Sequence, residues 1–242
     1  MGDENSARQE GTISSFSSNA TIILGTPGRP SSMGSHLNAG NPLFKRPYNP
    51  CLSIMQWHNL DLTAIPEDFL PRVKYAPKAA EEEYLKRLDR FEGRPVTDFY
   101  RLGLREFVSL VGGRTLTACL LPPGVTHINA LESVCFEDEH KLVRTSGILA
   151  SLPLDFYTRQ QNKVNLFSEM ISRLPLPELP QNLSTALCAR TLCLNCLTSW
   201  YADLWQREFK EEFKTQRWSR EPPGLKADFF STLTPNGPST VP

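Results

Sequence analysis

The stretch RTLTACLLPPGVTHIN, residues 114–129, combines a strand pattern, a turn and two polar side chains. Its first half is a run of β-branched and apolar residues, which predicts a strand. Pro123 and Gly124 then favour a type II turn, because Pro fixes φ at the second position and Gly accepts the positive φ of the third. His127 and Asn129 follow the turn. They either satisfy local backbone groups or belong to a rigid loop that presents polar side chains to a DNA base, and both interpretations stay open.

The segments around this stretch predict a mixture of strands and helices. LESVCFE, residues 131–137, predicts the strand that pairs with RTLTACLL. Apolar residues recur at helical spacing in segments 79–91, 95–113, 140–160 with a break near Pro153, and 165–174. In segment 95–113, Thr97 or Asp98 is the expected N-cap, and Gly112 with Gly113 is the expected end. Residues 184–218 predict one long amphipathic helix that Ser184 caps.

Short strands mixed with several helices predict an α+β fold. Along the chain we expect three regions. Residues 1–39 are mostly small and polar, which predicts a poorly ordered segment. Residues 40–218 form the predicted domain, and residues 219–242 form a tail that is rich in Pro and Gly.

The charge balance bears on nucleic-acid binding, and the N-terminal sequence bears on the location of the protein. Lys plus Arg number 26 and Asp plus Glu number 26, so the composition has no basic excess of the kind that nucleic-acid-binding proteins usually carry. The chain begins without a secretion signal, and the uncharged residues 11–28 are too polar for a membrane span. We therefore expect a cytoplasmic location, no membrane partner and reduced cysteines.

Three cysteines have a spacing that is typical of a metal site. Cys188, Cys193 and Cys196 match the C-x4-C-x2-C pattern of plant-type iron–sulfur proteins, but that site needs a fourth cysteine later in the chain, and none follows. They also lie in a helical pattern, where Cys packs as a small apolar residue. The sequence predicts core packing and no metal site.

The motifs of common enzyme classes are missing from the sequence. The four histidines lie outside the H-E-x-x-H pattern and the other motifs that mark catalytic or haem-binding histidines. The phosphate-binding patterns G-x-x-x-x-G-K-[ST] and G-x-G-x-x-G do not occur either. GNPLF, residues 40–44, partly matches the Asn-Pro-Pro-aromatic loop of adenine methyltransferases, but Leu43 replaces the second proline. A proline turn is the favoured interpretation of GNPLF.

A mildly basic run follows the central stretch. Between residues 144 and 173 it contains Arg144, Arg159, Lys163 and Arg173 against two acidic residues. Its loop YTRQQNKVN, residues 157–165, is rich in amides and fits two interpretations equally well. In the first interpretation the loop contacts DNA phosphates and bases, and in the second it is an ordinary solvated loop.

Three long blocks carry a resemblance to a known family. They are RTLTACLLPPGVTHIN, GILASLPLDFYTRQQNKVNLFSEMISRLPLP (residues 147–177) and RTLCLNCLTSWYADLWQREFKEEFKTQRW (residues 190–218). Together with the sequence before them, they resemble the C-terminal target-recognition region of bacterial type IIG-like, adenine-specific DNA methyltransferases. Such enzymes belong to restriction–modification and phage-defence systems. The likeness spans about residues 40–233.

The resemblance implies DNA recognition without catalysis in this chain. In the family, an N-terminal Rossmann-like domain binds S-adenosylmethionine and transfers the methyl group, and the C-terminal region recognises double-stranded DNA. The Phe-x-Gly-x-Gly and Asn-Pro-Pro-Tyr motifs of that domain are absent here. We therefore expect no Rossmann-like domain, no cofactor and no catalytic residue in this chain, which we interpret as a fragment of a larger gene or a truncated reading frame. A separate methyltransferase domain or subunit is then the expected partner.

The resemblance also turns polar residues into candidate DNA contacts. His127 and Asn129 are candidates for base edges, and the cations are candidates for phosphates: Arg114, Arg159, Lys163 and Arg173. A second hypothesis stays open. The chain is a non-catalytic protein-interaction remnant that does not bind DNA, and the balanced charge favours that hypothesis.

Overall fold

The computed structural model describes residues 15–16, 31–32, 37–48, 56–70, 80–108, 110, 112–127, 130–163, 165–166, 168–220 and 228–238. The strands are β1 (Ser15–Phe16), β2 (Ser31–Ser32), β3 (Lys45–Pro47), β4 (Trp57–Asn59), β5 (Arg90–Phe91), β6 (Arg94–Pro95), β7 (Arg101–Arg105), β8 (Ala118–Leu121), β9 (Thr126–His127), β10 (Leu131–Val134), β11 (Leu233–Thr234) and β12 (Gly237–Pro238). The helices are α1 (Glu81–Lys86), α2 (Glu139–Leu149), α3 (Leu152–Gln160), α4 (Ser168–Ser172), α5 (Gln181–Asn195) and α6 (Ala202–Glu208). Helices combined with small, mostly antiparallel sheets confirm the α+β prediction.

An antiparallel sheet with the strand order β1-β10-β7-β8 is the centre of the fold. The strands that were predicted around the central stretch, β8 and β10, both belong to it. They are not direct partners, because β7 lies between them: Gly103 of β7 faces Ser133 of β10 on one side and Cys119 of β8 on the other. The prediction of strands at these positions is confirmed, and the prediction of their direct pairing is wrong.

The prediction of a helix over residues 95–113 is wrong. A short 3-10 turn, Val96–Asp98, is followed by strand β7 at the centre of the sheet. Leu102 and Leu104 point together into the main core, which is the period of two that a strand needs. Gly103 points to the opposite face, where an added Cβ would lie 2.9 Å from the side chain of Leu121. Packing against neighbouring strands therefore decides the conformation of a segment whose apolar residues also fit a helix.

The main hydrophobic core lies between the sheet and helices α2 and α5. Val143 of α2 and Leu192 of α5 are fully buried there with Leu104 and Leu120 of the sheet. At the crossing of the two helices, a Cβ at Gly147 would lie 2.3 Å from Oγ1 of Thr191. The glycine therefore permits the close approach of α2 and α5.

Residues 184–218 form several short elements and not the one long helix that was predicted. Helix α5 begins after Pro180 and ends at Asn195, a 3-10 turn covers Ser199–Tyr201, and α6 follows. Ser184 is a buried residue inside α5, so it is not the cap. Nε1 of Trp205 donates to the carbonyl oxygen of Cys196 at 3.0 Å, and this bond holds the bend between the two helices.

Other predicted helices are confirmed in part. In segment 79–91 the helix α1 ends at Lys86, and Arg90–Phe91 form strand β5. The break near Pro153 separates α2, which ends at Leu149, from α3, which carries this proline in its first turn. Helix α4 lies within the predicted segment 165–174. Residues outside the predicted domain also reach the interior: Leu37 packs with Leu121 and Leu131, and Phe230 and Leu233 join the main core.

Candidate nucleic-acid interface

The carboxylate of Asp155 is the centre of a polar cluster beside the central stretch. Asp155 is a buried residue of α3, where one helix face turns toward the sheet. Its Oδ1 accepts the backbone N–H groups of Thr115 and Leu116 at 2.7 Å and 2.8 Å. These two bonds attach the segment that leads into β8 to helix α3.

Two of the predicted DNA contacts, Arg114 and Arg159, meet at this carboxylate. Nε of Arg114 lies 3.3 Å from Oδ1 of Asp155, and Nη2 of Arg159 lies 3.9 Å from Oδ2. Arg114 also donates to the carbonyl oxygen of Ala150 at 2.6 Å, and Arg159 donates to that of Gly112 at 2.8 Å. The structure therefore brings the two cations together and gives both a structural role.

The cluster keeps a positive charge that faces solvent. Two guanidinium groups share the single carboxylate of Asp155, so the formal charge of the three groups is positive. The side chains of Arg114 and Arg159 are 25% and 36% exposed, respectively. Each guanidinium has five N–H donors, so structural bonds do not exhaust its capacity to bind an anion.

His127 lies at a different place, in the short strand β9. The β9 strand pairs with β2 in parallel, and the His127 ring is half-buried. Nε2 of His127 is 2.9 Å from Oγ of Ser133 in β10, so one ring nitrogen already has a hydrogen-bond partner within the protein. Its role as a base contact remains a prediction.

A buried arginine that sequence reasoning missed lies beside this histidine. Arg101 of β7 is only 1% exposed, donates to the carbonyl oxygen of Val125, and places Nη1 3.5 Å from Oγ of Ser133. Burial lowers the pKa of the Arg101 guanidinium to about 10, so the group stays charged at neutral pH. The helix prediction for residues 95–113 concealed it, because a helix does not place residue 101 on the same sheet face as Gly103 and Leu121, opposite the main core.

The turn between β8 and β9 has the predicted chemistry. Gly124 adopts a φ of 78°, the sign that the third position of a type II turn requires, and its N–H donates to the carbonyl oxygen of Thr97 at 2.7 Å. Position 129 lies outside the described residues, so the Asn129 prediction has no structural counterpart.

Lys163 and Arg173, the remaining candidates, are exposed cations. Lys163 follows the end of α3 directly after Asn162, which has a left-handed φ of 52°. Arg173 follows α4. Their exposure is compatible with contacts to phosphates and equally with a solvated surface, as the sequence already indicated.

The GNPLF segment forms a turn, as predicted. Oδ1 of Asn41 accepts the N–H of Leu43 at 2.7 Å, and Asn38 pairs with Asn41 across the turn. Leu43 is buried. The side-chain oxygen of Asn41 therefore supports the local backbone.

The three clustered cysteines pack in the core, which confirms that prediction. Cys188 and Cys196 are buried, and Cys193 is half-buried against the same core. Burial raises the pKa of the Cys188 thiol to about 11 and that of Cys193 to about 12. Within the described ranges, no group of three or more His, Cys, Asp and Glu side chains is arranged to hold a metal ion.

Comparison of the chain with family models, with curated proteins and with solved structures gives no match.

None of the helices in the described part of the chain combines the length and apolar character that crossing a membrane requires.

Proposed function

We propose that the chain is the DNA target-recognition portion of an adenine-specific methyltransferase of a restriction–modification or phage-defence system. It works in the cytoplasm, and methyl transfer with S-adenosylmethionine takes place on a separate domain or subunit. The sequence resemblance motivates this proposal, and the chemistry of the interface supports it.

The observation that carries the proposal is the sharing of the Asp155 carboxylate by Arg114 and Arg159. A surface that contacts phosphates needs cations that acids on the protein do not neutralise. Here one carboxylate faces two guanidinium groups. The exposed Lys163 lies just after the end of α3, the helix that carries Asp155 and Arg159. The structural bonds hold both arginines in fixed positions, which lowers the entropy that ordering them on DNA would require.

The roles of the individual residues follow from their chemistry. Arg114, Arg159, Lys163 and Arg173 bind phosphate oxygens and orient the chain on the duplex. His127, which lies in β9, and Asn129 read base edges. The partner domain would then rotate the target adenine out of the duplex and methylate its amino group.

A salt titration of duplex binding tests the proposal. The full chain should bind a labelled duplex with an affinity that falls as salt rises. Lys163→Ala should reduce the slope of log affinity against log salt by about 1, because one phosphate contact is lost. Lys86→Ala, which removes an exposed lysine at the end of α1, is the matched control and should leave the slope unchanged.

Two outcomes would contradict the proposal. A chain without salt-dependent duplex binding would be the interaction remnant of the second hypothesis. Measurable methyl transfer by the purified chain with S-adenosylmethionine alone would show that catalysis resides in this chain.

A further inference from the structure

The outer face of α3 exposes two aromatic rings. Leu154, Asp155 and Thr158 of this helix point inward and are buried. Phe156 and Tyr157 therefore point outward, where they are 63% and 38% exposed. Single exposed apolar side chains are common on protein surfaces, whereas contiguous exposed apolar surface, to which two consecutive rings contribute, marks interaction sites.

A third exposed ring, that of Phe107, belongs to a residue that pairs with the segment after α3. Phe107 is 54% exposed and pairs through its backbone with Asn165, and the neighbouring N–H of Leu166 donates to the carbonyl oxygen of Glu106 at 2.8 Å. Lys163 is two residues before Asn165, so their Cα atoms are within about 7.6 Å. The bridge therefore places Phe107 close to the cation that follows α3.

The charges and amides around these rings favour a polyanion with exposed bases. Between residues 152 and 163 the acidic residue is Asp155, which is buried and bound to arginine. Gln160, Gln161 and Asn162 are exposed, and their amides have both donors and acceptors for base edges. An acidic protein partner would use the cations, but it would not specifically need aromatic rings beside several amides.

We propose that this aromatic edge, defined as Phe107, Phe156, Tyr157, Gln160 and Lys163, binds unpaired nucleotides of single-stranded DNA. Bases stack on the rings, the Gln160 amide contacts base edges, and Lys163 contacts a phosphate. A duplex hides the faces of its bases, so the edge favours an unpaired strand over the same sequence in duplex form. The inference rests on the proposed function for the choice of DNA as the polymer, and it adds a second binding mode.

Fluorescence anisotropy with the full chain tests this inference. One labelled oligonucleotide is used as a single strand and, annealed to its complement, as a duplex. Phe156→Ala should weaken single-strand binding about tenfold or more, the range expected when one stacked base loses its ring. Phe156→Leu keeps a large apolar side chain without a π face, so it should show a comparable loss. Leu183→Ala removes an exposed apolar side chain from α5 and should leave the affinity unchanged.

Comparison of the affinities for the single strand and for the duplex distinguishes failure of this inference from failure of the proposed function. Equal single-strand affinity in the wild type, Phe156→Ala and Phe156→Leu would overturn the aromatic edge, even if duplex binding is intact. If Phe156→Leu keeps the full single-strand affinity and Phe156→Ala loses it, the aromatic edge would also be overturned, because apolar contact, as in a protein interface, would then suffice. Single-strand binding that depends on Phe156, in a chain that does not bind duplex, would support the edge and contradict the proposed function.

Discussion

Oδ1 of Asn195 accepts the backbone N–H of Leu120 at 2.8 Å, which joins the last residue of α5 to strand β8. The hydroxyl of Tyr201 donates to the carbonyl oxygen of Leu120 at 2.9 Å. Strand β8 is at the edge of its sheet, so both backbone groups of Leu120 would otherwise lack partners in a buried environment. Side chains from the bend between α5 and α6 therefore complete the sheet edge.

Replacement of this asparagine should destabilise the fold. Asn195→Ala leaves the buried N–H of Leu120 without an acceptor, and it also removes the bond from Nδ2 to the carbonyl oxygen of Thr191. The free energy of unfolding should fall by about 1–3 kcal/mol in urea denaturation. Asn182→Ala in the exposed first turn of α5 is the control and should change it by less than about 0.5 kcal/mol. Equal effects of the two variants would contradict the role of Asn195.

A methyl group at the crossing of α2 and α5 should also destabilise the protein. Ala is a better helix former than Gly by about 1 kcal/mol, yet the new Cβ in Gly147→Ala would meet Oγ1 of Thr191 at 2.3 Å and Cγ of Leu187 at 2.8 Å. We expect the overlap to outweigh propensity and to lower the unfolding free energy by about 1–3 kcal/mol. Gly113→Ala, where the new Cβ meets no atom within 4 Å, is the matched control. A more stable Gly147→Ala variant would show that the two helices separate freely.

Replacement of Asp155 should separate its two roles, as the acceptor of two backbone N–H groups and as the ion-pair partner of two arginines. Asp155→Ala leaves the buried N–H groups of Thr115 and Leu116 without their acceptor, so the unfolding free energy should fall by about 2–4 kcal/mol. Asp155→Asn keeps an acceptor oxygen and removes the negative charge, so its loss should be smaller. If duplex DNA binds at Arg114 and Arg159, Asp155→Asn should also strengthen binding at low salt. Unchanged or weaker binding by a folded Asp155→Asn variant would contradict a phosphate site at these arginines.

Thiol reactivity should report the burial of Cys188. Burial raises its pKa from the ordinary 9.0 to about 11, so near pH 8 the thiolate fraction is on the order of 100-fold lower than in the unfolded chain. The thiolate is the reactive form, so alkylation by iodoacetamide should slow by at least this factor in the native protein. The rate should rise with pH until pH approaches 11. Peptide mapping by mass spectrometry measures the rate for Cys188 itself, and equal native and unfolded rates at pH 8 would contradict the buried position.

Local chemistry in the sequence determined those features whose causes lie within a few residues. Pro123 and Gly124 determined the turn after β8, and Pro153 determined the break between α2 and α3. The strand pattern of residues 118–121 and the apolar spacing of α2 were likewise visible. Such signals depend on the conformations that each residue permits, and these hardly change with the surroundings.

Only the tertiary structure decided the features whose partners are distant along the chain. Residues 101–105 became a strand because β8 and β10 pair with both of their edges. The pattern of residues 184–218 did not continue as one helix, because Asn195 and Trp205 bind backbone groups at the bend. Arg114 and Arg159 were predicted from the sequence as interface cations, but their sharing of Asp155 depends on a residue 41 positions after Arg114 and on the packing of α3. Arg159 lies one helical turn after Asp155 and is a local pair, whereas the contacts of Arg114, of β7 and of the α5–α6 bend join residues far apart along the chain, and such contacts have no periodic signal in the sequence.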